Sequence, residues 1–208
     1  MRPATGALWA KHDKHPGDRW RLFSTVAKTV SAERVLYPGS YIDIAPSFVF
    51  PTVTYVDYNK PAKAFFADVE GVLEIIAGHD GAPADPSVTF IAGDYTEPLD
   101  LDDQSFDLLV SLYGGFISDH CTRHLEVGGT LLVNPSHGDA ALASIDSRYQ
   151  LAGAVLEREG GYRIDEDDLD SYLVPKKSVI ITRESLLERG RGIAYTKPAF
   201  AYLFTRIA

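Results

Sequence analysis

The stretch Arg34 to Asp57, RVLYPGSYIDIAPSFVFPTVTYVD, decides the fold. Arg34 to Tyr37 is a short run of strand formers that stops at Pro38-Gly39-Ser40, a turn in which only Gly39 takes up unusual backbone angles freely. Val53 to Val56 is a second β-branched run, and Asp57 closes it eighteen residues after Gly39 (57 − 39). That is close to the spacing of about 20 residues between a glycine turn and the acid that hydrogen-bonds a ribose in nucleotide-binding α/β sheets. Strand, tight turn, connection, strand is the expected order.

On the amino-terminal side, residues 1–17 mix Pro3, Gly6, Pro16 and Gly17 with charged residues and predict an irregular lead-in. From Asp18, Trp20, Phe23, Val26, Ala27 and Val30 recur at spacings of three and four, so a helix capped by Asp18 precedes the first strand. On the carboxyl side, Pro61 opens a single helix through Phe65, Val69, Val72 and Ile76 to Gly78. Val88 to Ala92 is a strand ending at Gly93-Asp94-Tyr95, and Leu99 to Asp103 a solvated acidic loop. Phe106 to Leu112 is nearly all apolar, as a strand covered on both faces should be, and Thr130 to Val133 follows a short helix over 117–125 and the pair Gly128-Gly129. Ala140 to Leu156 reads as one long helix, and Val179 to Thr182 and Phe200 to Ile207 as late strands around a helical segment 183–191. The fold class expected is α/β: a doubly wound, mainly parallel sheet with a late antiparallel strand, with residues 18–208 as a single domain.

Composition narrows the functional classes. With 45% hydrophobic residues among 208 the chain can bury a substantial core. Its net charge of −9 opposes attraction to polyphosphates and anionic membranes, so the expected partner is a small-molecule substrate rather than nucleic acid, with a homo-oligomer left open. Cys121 is the only cysteine, which excludes an intrachain disulfide and suits a reducing, cytoplasmic setting. No apolar run is long enough to span a bilayer.

In open parallel sheets the ligand lies beyond the carboxyl ends of the strands. The candidate cofactor-binding residues are therefore Gly39, Ser40, Tyr41, Asp57, Tyr58, Asp94, Tyr95, Ser111 and Leu112. Asp57 is placed to accept from ribose hydroxyls, Asp94 from an exocyclic amine, and Tyr58 or Tyr95 to stack on a base. After the strand ending at Val133, His137 is the candidate general base, with Asn134 and Asp139 to orient it. The structural alternative makes Asn134-Pro135-Ser136 a turn and Asp139 the cap of the next helix. His120 and His124 share a helix face, but Cys121 replaces the glutamate of the zinc-protease spacing, so no metal site is expected.

Over about residues 34–139 the chain, through the runs VLYPG, YVDYN, IAGDY, FDLLVSLYGGF and LEVGGTLLVN, resembles the class I, Rossmann-like S-adenosylmethionine-dependent methyltransferases. The resemblance implies S-adenosylmethionine as cofactor, with Gly39 beside its methionine part, Asp57 on its ribose and Asp94 near its adenine. Tyr37 and Tyr41 stand where that family's first motif carries an acid and a second glycine, so the glycine motif is degenerate. The activity implied is methyl transfer to a small molecule. A dinucleotide-dependent oxidoreductase, for which Asp57 is equally apt, and a non-catalytic Rossmann-like binding protein are the alternatives.

Overall fold

The computed structural model describes residues 1–15 and 17–208. Helices α1 (Pro3–His12) and α2 (Asp18–Val26) precede strand β1 (Arg34–Pro38). A single 3-10 turn, Ala45–Phe48, connects it to β2 (Thr52–Val56), because Pro46 and Pro51 leave no room for a regular crossover helix. Then come α3 (Lys60–Phe66), α4 (Val69–Ala77), β3 (Ser87–Ile91), β4 (Phe106–Ser111), α5 (Ile117–Cys121) and β5 (Leu125–Val133). The chain finishes with α6 (Asp139–Ile145), β6 (Tyr149–Arg158), β7 (Gly161–Asp165), α7 (Arg183–Arg189) and β8 (Ala201–Arg206).

These strands form one eight-stranded sheet in the order β3-β2-β1-β4-β5-β8-β6-β7. Strands β1 to β5 are parallel, β8 runs antiparallel between β5 and β6, and β7 is an antiparallel edge. The alternation of side chains across the pleat builds two cores. Val35, Tyr37, Val53, Tyr55, Leu108 and Val110 face α2, α3 and α4, whereas Leu36, Val56, Leu109, Leu131 and Val133 face α5, α6 and α7. The strand order reverses between β1 and β4, so their carboxyl ends flank the switch point where ligands of such sheets bind.

Four expectations are corrected. The lead-in is not irregular where it is described: Pro3 sits at the first helical position, which tolerates it, and α1 packs through Leu8 and Trp9 on the core (Pro16 lies outside the described residues). The helix expected from Pro61 is two helices broken at Asp68, whose side chain caps α4 by accepting from Gly71 N–H. The expected helix Ala140–Leu156 stops at Ile145, and Tyr149–Arg158 is a strand between β8 and β7. Val179–Thr182 is not a strand; it packs Val179 and Ile181 on the second core and leaves Ile180 in solvent. The hairpin strand β7 was not foreseen.

Candidate functional site

The first strand ends as the sequence suggests. Gly39 has φ +64°, and its N–H donates to Val56 O at the end of the neighbouring β2 at 2.8 Å. A Cβ there would stand 3.3 Å from Gly114 Cα, close enough that the second strand-end loop would have to give slightly, and the left-handed φ itself favours glycine. Tyr41, two residues on, is also left-handed at φ +51°, an uncommon and costly conformation for a side chain of that size. What holds it is Asp57: Oδ2 accepts from Tyr41 N–H at 2.8 Å, while Oδ1 accepts from the backbone and side-chain amides of Asn59 at 2.7 and 2.8 Å. Asp57 thus ties the ends of β1 and β2 together and is buried.

Asp94, at the end of the β3 segment, is exposed and accepts from both the N–H and the hydroxyl of Thr96, which lower its pKa and keep it ionised. Tyr95 lies over Gly39, and its hydroxyl donates to Gly114 O. Tyr58 is 61% exposed, free to meet a ligand from solvent but not packed on one side of a cleft. Ser40, Ser111 and Leu112 are buried beneath this surface.

The grouping expected for catalysis is not assembled. Asn134 is buried and its Oδ1 accepts from Tyr113 N–H at 3.2 Å and from Ser136 Oγ at 2.8 Å. His137 is exposed, with Nε2 3.1 Å from Tyr113 O. Asp139 faces the other way, wholly buried, where its carboxylate accepts from the hydroxyls of Ser111 and Ser118 and from Ser118 N–H. Burial without a basic partner pushes its pKa up to about 6 against those hydrogen bonds. Asp139 therefore locks α5 and α6 to the end of β4 instead of orienting His137. Of the two helix-face histidines, His120 is exposed and His124 is buried against Asp102 O.

Sequence reasoning missed a second polar cluster beside these turns. Arg19 of α2 lies 5.2 Å above the ring of Tyr113, which has φ +62°, and its Nε is 3.4 Å from Asp43 Oδ2. Tyr37 donates its phenol to the same carboxylate at 3.2 Å, and burial lifts that phenol's pKa well above 10. Tyr37, which occupies the position of the missing motif acid, is thus the partner of an acid six residues later. The signal was present in YPGSYID: an aspartate inside an otherwise apolar stretch must have a buried partner.

For a nucleoside the donor set fits at one end. A carboxylate offers about four lone-pair sites, and three on Asp57 are filled, which leaves one on Oδ2 for a ribose hydroxyl; a second becomes free if the Asn59 amide turns away. At the Gly39 end the loop atoms of Gly114 and the Tyr95 ring lie directly on the glycine. A group extending along β1 from the ribose has to displace Tyr95.

No family model and no curated protein matches this sequence. Solved structures do. The chain superposes on a methyltransferase candidate from Haloferax volcanii, solved in complex with the Trm112 methyltransferase activator, with TM-score 0.52 and 16% identity over 96% of this chain and 95% of the other. A candidate O-methyltransferase from Klebsiella pneumoniae gives TM-score 0.54 and 12% identity over 100% and 91%. A candidate S-adenosylmethionine-dependent methyltransferase from Methanococcus maripaludis gives 0.53 and 14% over 99% and 92%. At such identities the likeness establishes architecture: the fold is that of the class I S-adenosylmethionine-dependent methyltransferases, with the antiparallel β8 inserted beside β5.

Proposed function

We propose that this chain is an S-adenosylmethionine-dependent methyltransferase acting on a small molecule. The observation that carries the reading is the succession of Gly39, Asp57 and Asp94 beyond the carboxyl ends of β1, β2 and β3, leading outward from the switch point, in a fold of methyltransferase type. Asp57 would hold the ribose, Asp94 the adenine amine, and the exposed ring of Tyr58 the face of the base. The bound cofactor supplies an activated methyl group; the chain's part is to orient it and to hold the acceptor. His137, exposed at the end of β5, remains the proposed proton acceptor, and it would act without Asp139.

Calorimetric titration with S-adenosylmethionine, its demethylated product and NAD tests this. Binding of the first two and not of NAD is the expected result; NAD binding alone would make the chain a dinucleotide protein. One observation favours a second reading, a binding protein that has kept the sheet without the cofactor: the contact of Tyr95 and Gly114 with Gly39. Tyr95→Phe separates the two, because it removes the hydroxyl that donates to Gly114 O. If the contact is a closable entrance, affinity for S-adenosylmethionine should rise by up to about tenfold, the worth of one hydrogen bond. If neither wild type nor Tyr95→Phe binds the cofactor, the methyltransferase reading is lost.

A further inference from the structure

Both tryptophans of the chain line one cavity. It has a volume of about 430 Å³, within the usual range for small-molecule sites, and lies where α1, the start of α2, the Ala45–Phe48 turn and the end of α4 meet. One wall is a continuous chain of rings. Trp9 stands edge-on to Phe48 at 5.8 Å, Phe48 stacks on His79 at 4.5 Å and 8°, and His79 is 5.1 Å from Trp20. His12 also lines the cavity, its ring 5.9 Å from that of Trp9 and 5.9 Å from that of Tyr41. Burial lowers the pKa of His12, so it is neutral at pH 7 and carries one acceptor nitrogen.

Several charges around the cavity are paired within the protein: Asp43 with Arg19, Asp18 with Arg21, and Glu74 with the Met1 amino group. Arg19 Nη1 is nevertheless buried with no hydrogen-bond partner among the described residues, so a polar group on a ligand has a donor to meet there, while a flat apolar ring finds four aromatic faces or edges. The cavity also adjoins the strand ends: Tyr41 follows the glycine turn, and Tyr113, under Arg19, follows β4.

We propose that this cavity binds a flat aromatic compound bearing a hydroxyl group, with its ring against Trp9, Phe48, His79 and Trp20 and its hydroxyl donating to His12. Binding itself is independent of the cofactor; that the bound compound is the methyl acceptor rests on the function proposed above.

The probes are p-cresol, 4-methylanisole, which lacks the donor, and 4-methylcyclohexanol, which lacks the ring, each titrated without cofactor by calorimetry and by tryptophan emission. The expected result is saturable p-cresol binding that shifts the emission, about threefold or more tighter than either analogue. His12→Phe should bring p-cresol and 4-methylanisole to equal affinity. His79→Ala, at a half-buried helix end, should weaken both aromatic probes about threefold to tenfold and leave 4-methylcyclohexanol unchanged. Absence of saturable p-cresol binding, or 4-methylcyclohexanol binding equally well, would overturn the proposal. Cofactor binding with p-cresol failure would remove the aromatic site alone, and the reverse pattern would remove the methyltransferase reading alone.

Discussion

Asp57 carries two duties that one mutation can separate. As a ribose acceptor it would make a charge-assisted hydrogen bond of about 1.5–3 kcal/mol, so Asp57→Ala should weaken S-adenosylmethionine by at least about tenfold. As the holder of the left-handed Tyr41, its loss also strands a backbone N–H, at about 1–3 kcal/mol and about 2–4 °C of thermal midpoint per kcal/mol. Asp57→Asn keeps an acceptor for Tyr41 N–H but turns its NH2 towards the two Asn59 donors, so some loss of midpoint is expected; lost affinity with a midpoint lowered less than in Asp57→Ala would assign Asp57 to the ligand, and a lowered midpoint with unchanged affinity would make it a turn residue only. Asp139 makes a prediction in pH. Its folded pKa of about 6 lies above the unfolded value of about 3.9, so its contribution to stability is complete below pH 4 and is lost as pH rises through 6, on the order of 3 kcal/mol in all. Chemical denaturation across that range should show the decline in wild type and a smaller one in Asp139→Asn; parallel curves would mean that the carboxylate is not buried as described. Both aspartates were picked out from sequence as strand-end residues, but only the structure separates them, because whether a carboxylate faces a cleft or the underside of a helix depends on which helices cover the strand.

At the scale of elements, strands buried on both faces were the most legible. Val53–Val56 and Phe106–Ser111 are short β-branched or nearly all apolar runs, buried on both sheet faces as a central strand should be. Residues 140–156 read as a helix because Ile145 and Tyr149, and again Leu151 and Val155, are four apart, although Tyr149, Leu151 and Val155 also fit the alternation of a strand; the decision comes from β8, which supplies a partner strand more than forty residues later. The amino-terminal helix is not legible locally, since Pro3 and Gly6 both disfavour a helix interior; Pro3, however, stands at the helix start, and Asp68, far along the chain, accepts from Arg2 N–H and Thr5 Oγ1. Asp68→Ala should therefore release α1 while sparing the sheet. Hydrogen exchange would report faster amides over Pro3–His12 and unchanged protection in β1 and β4; unchanged protection in α1 would mean that Trp9 and Leu8 suffice to hold it. Since Trp9 also walls the aromatic cavity, the same variant should show altered tryptophan emission.

For the whole molecule, the decisive strand is the last one. Ala201, Tyr202, Leu203 and Phe204 are all buried, and β8 pairs with β5 on one side and β6 on the other. Removing residues 199–208 should thus give a chain that loses cooperative thermal unfolding altogether, not a smaller folded domain; a sharp transition in the truncated protein would refute this. The remaining expectations from composition concern behaviour in solution, where among the described residues no helix is long and apolar enough to cross a membrane. The place of β8 also has a consequence for biosynthesis. Until β8 has been synthesised, β6 and β7 can form a hairpin but have nothing to join, and β5 presents an open edge. Completion of the sheet must wait for β8 to leave the exit tunnel. The nascent chain is most exposed to intermolecular strand pairing in the interval before β8 emerges, and this is the stage at which a chaperone would matter to its yield.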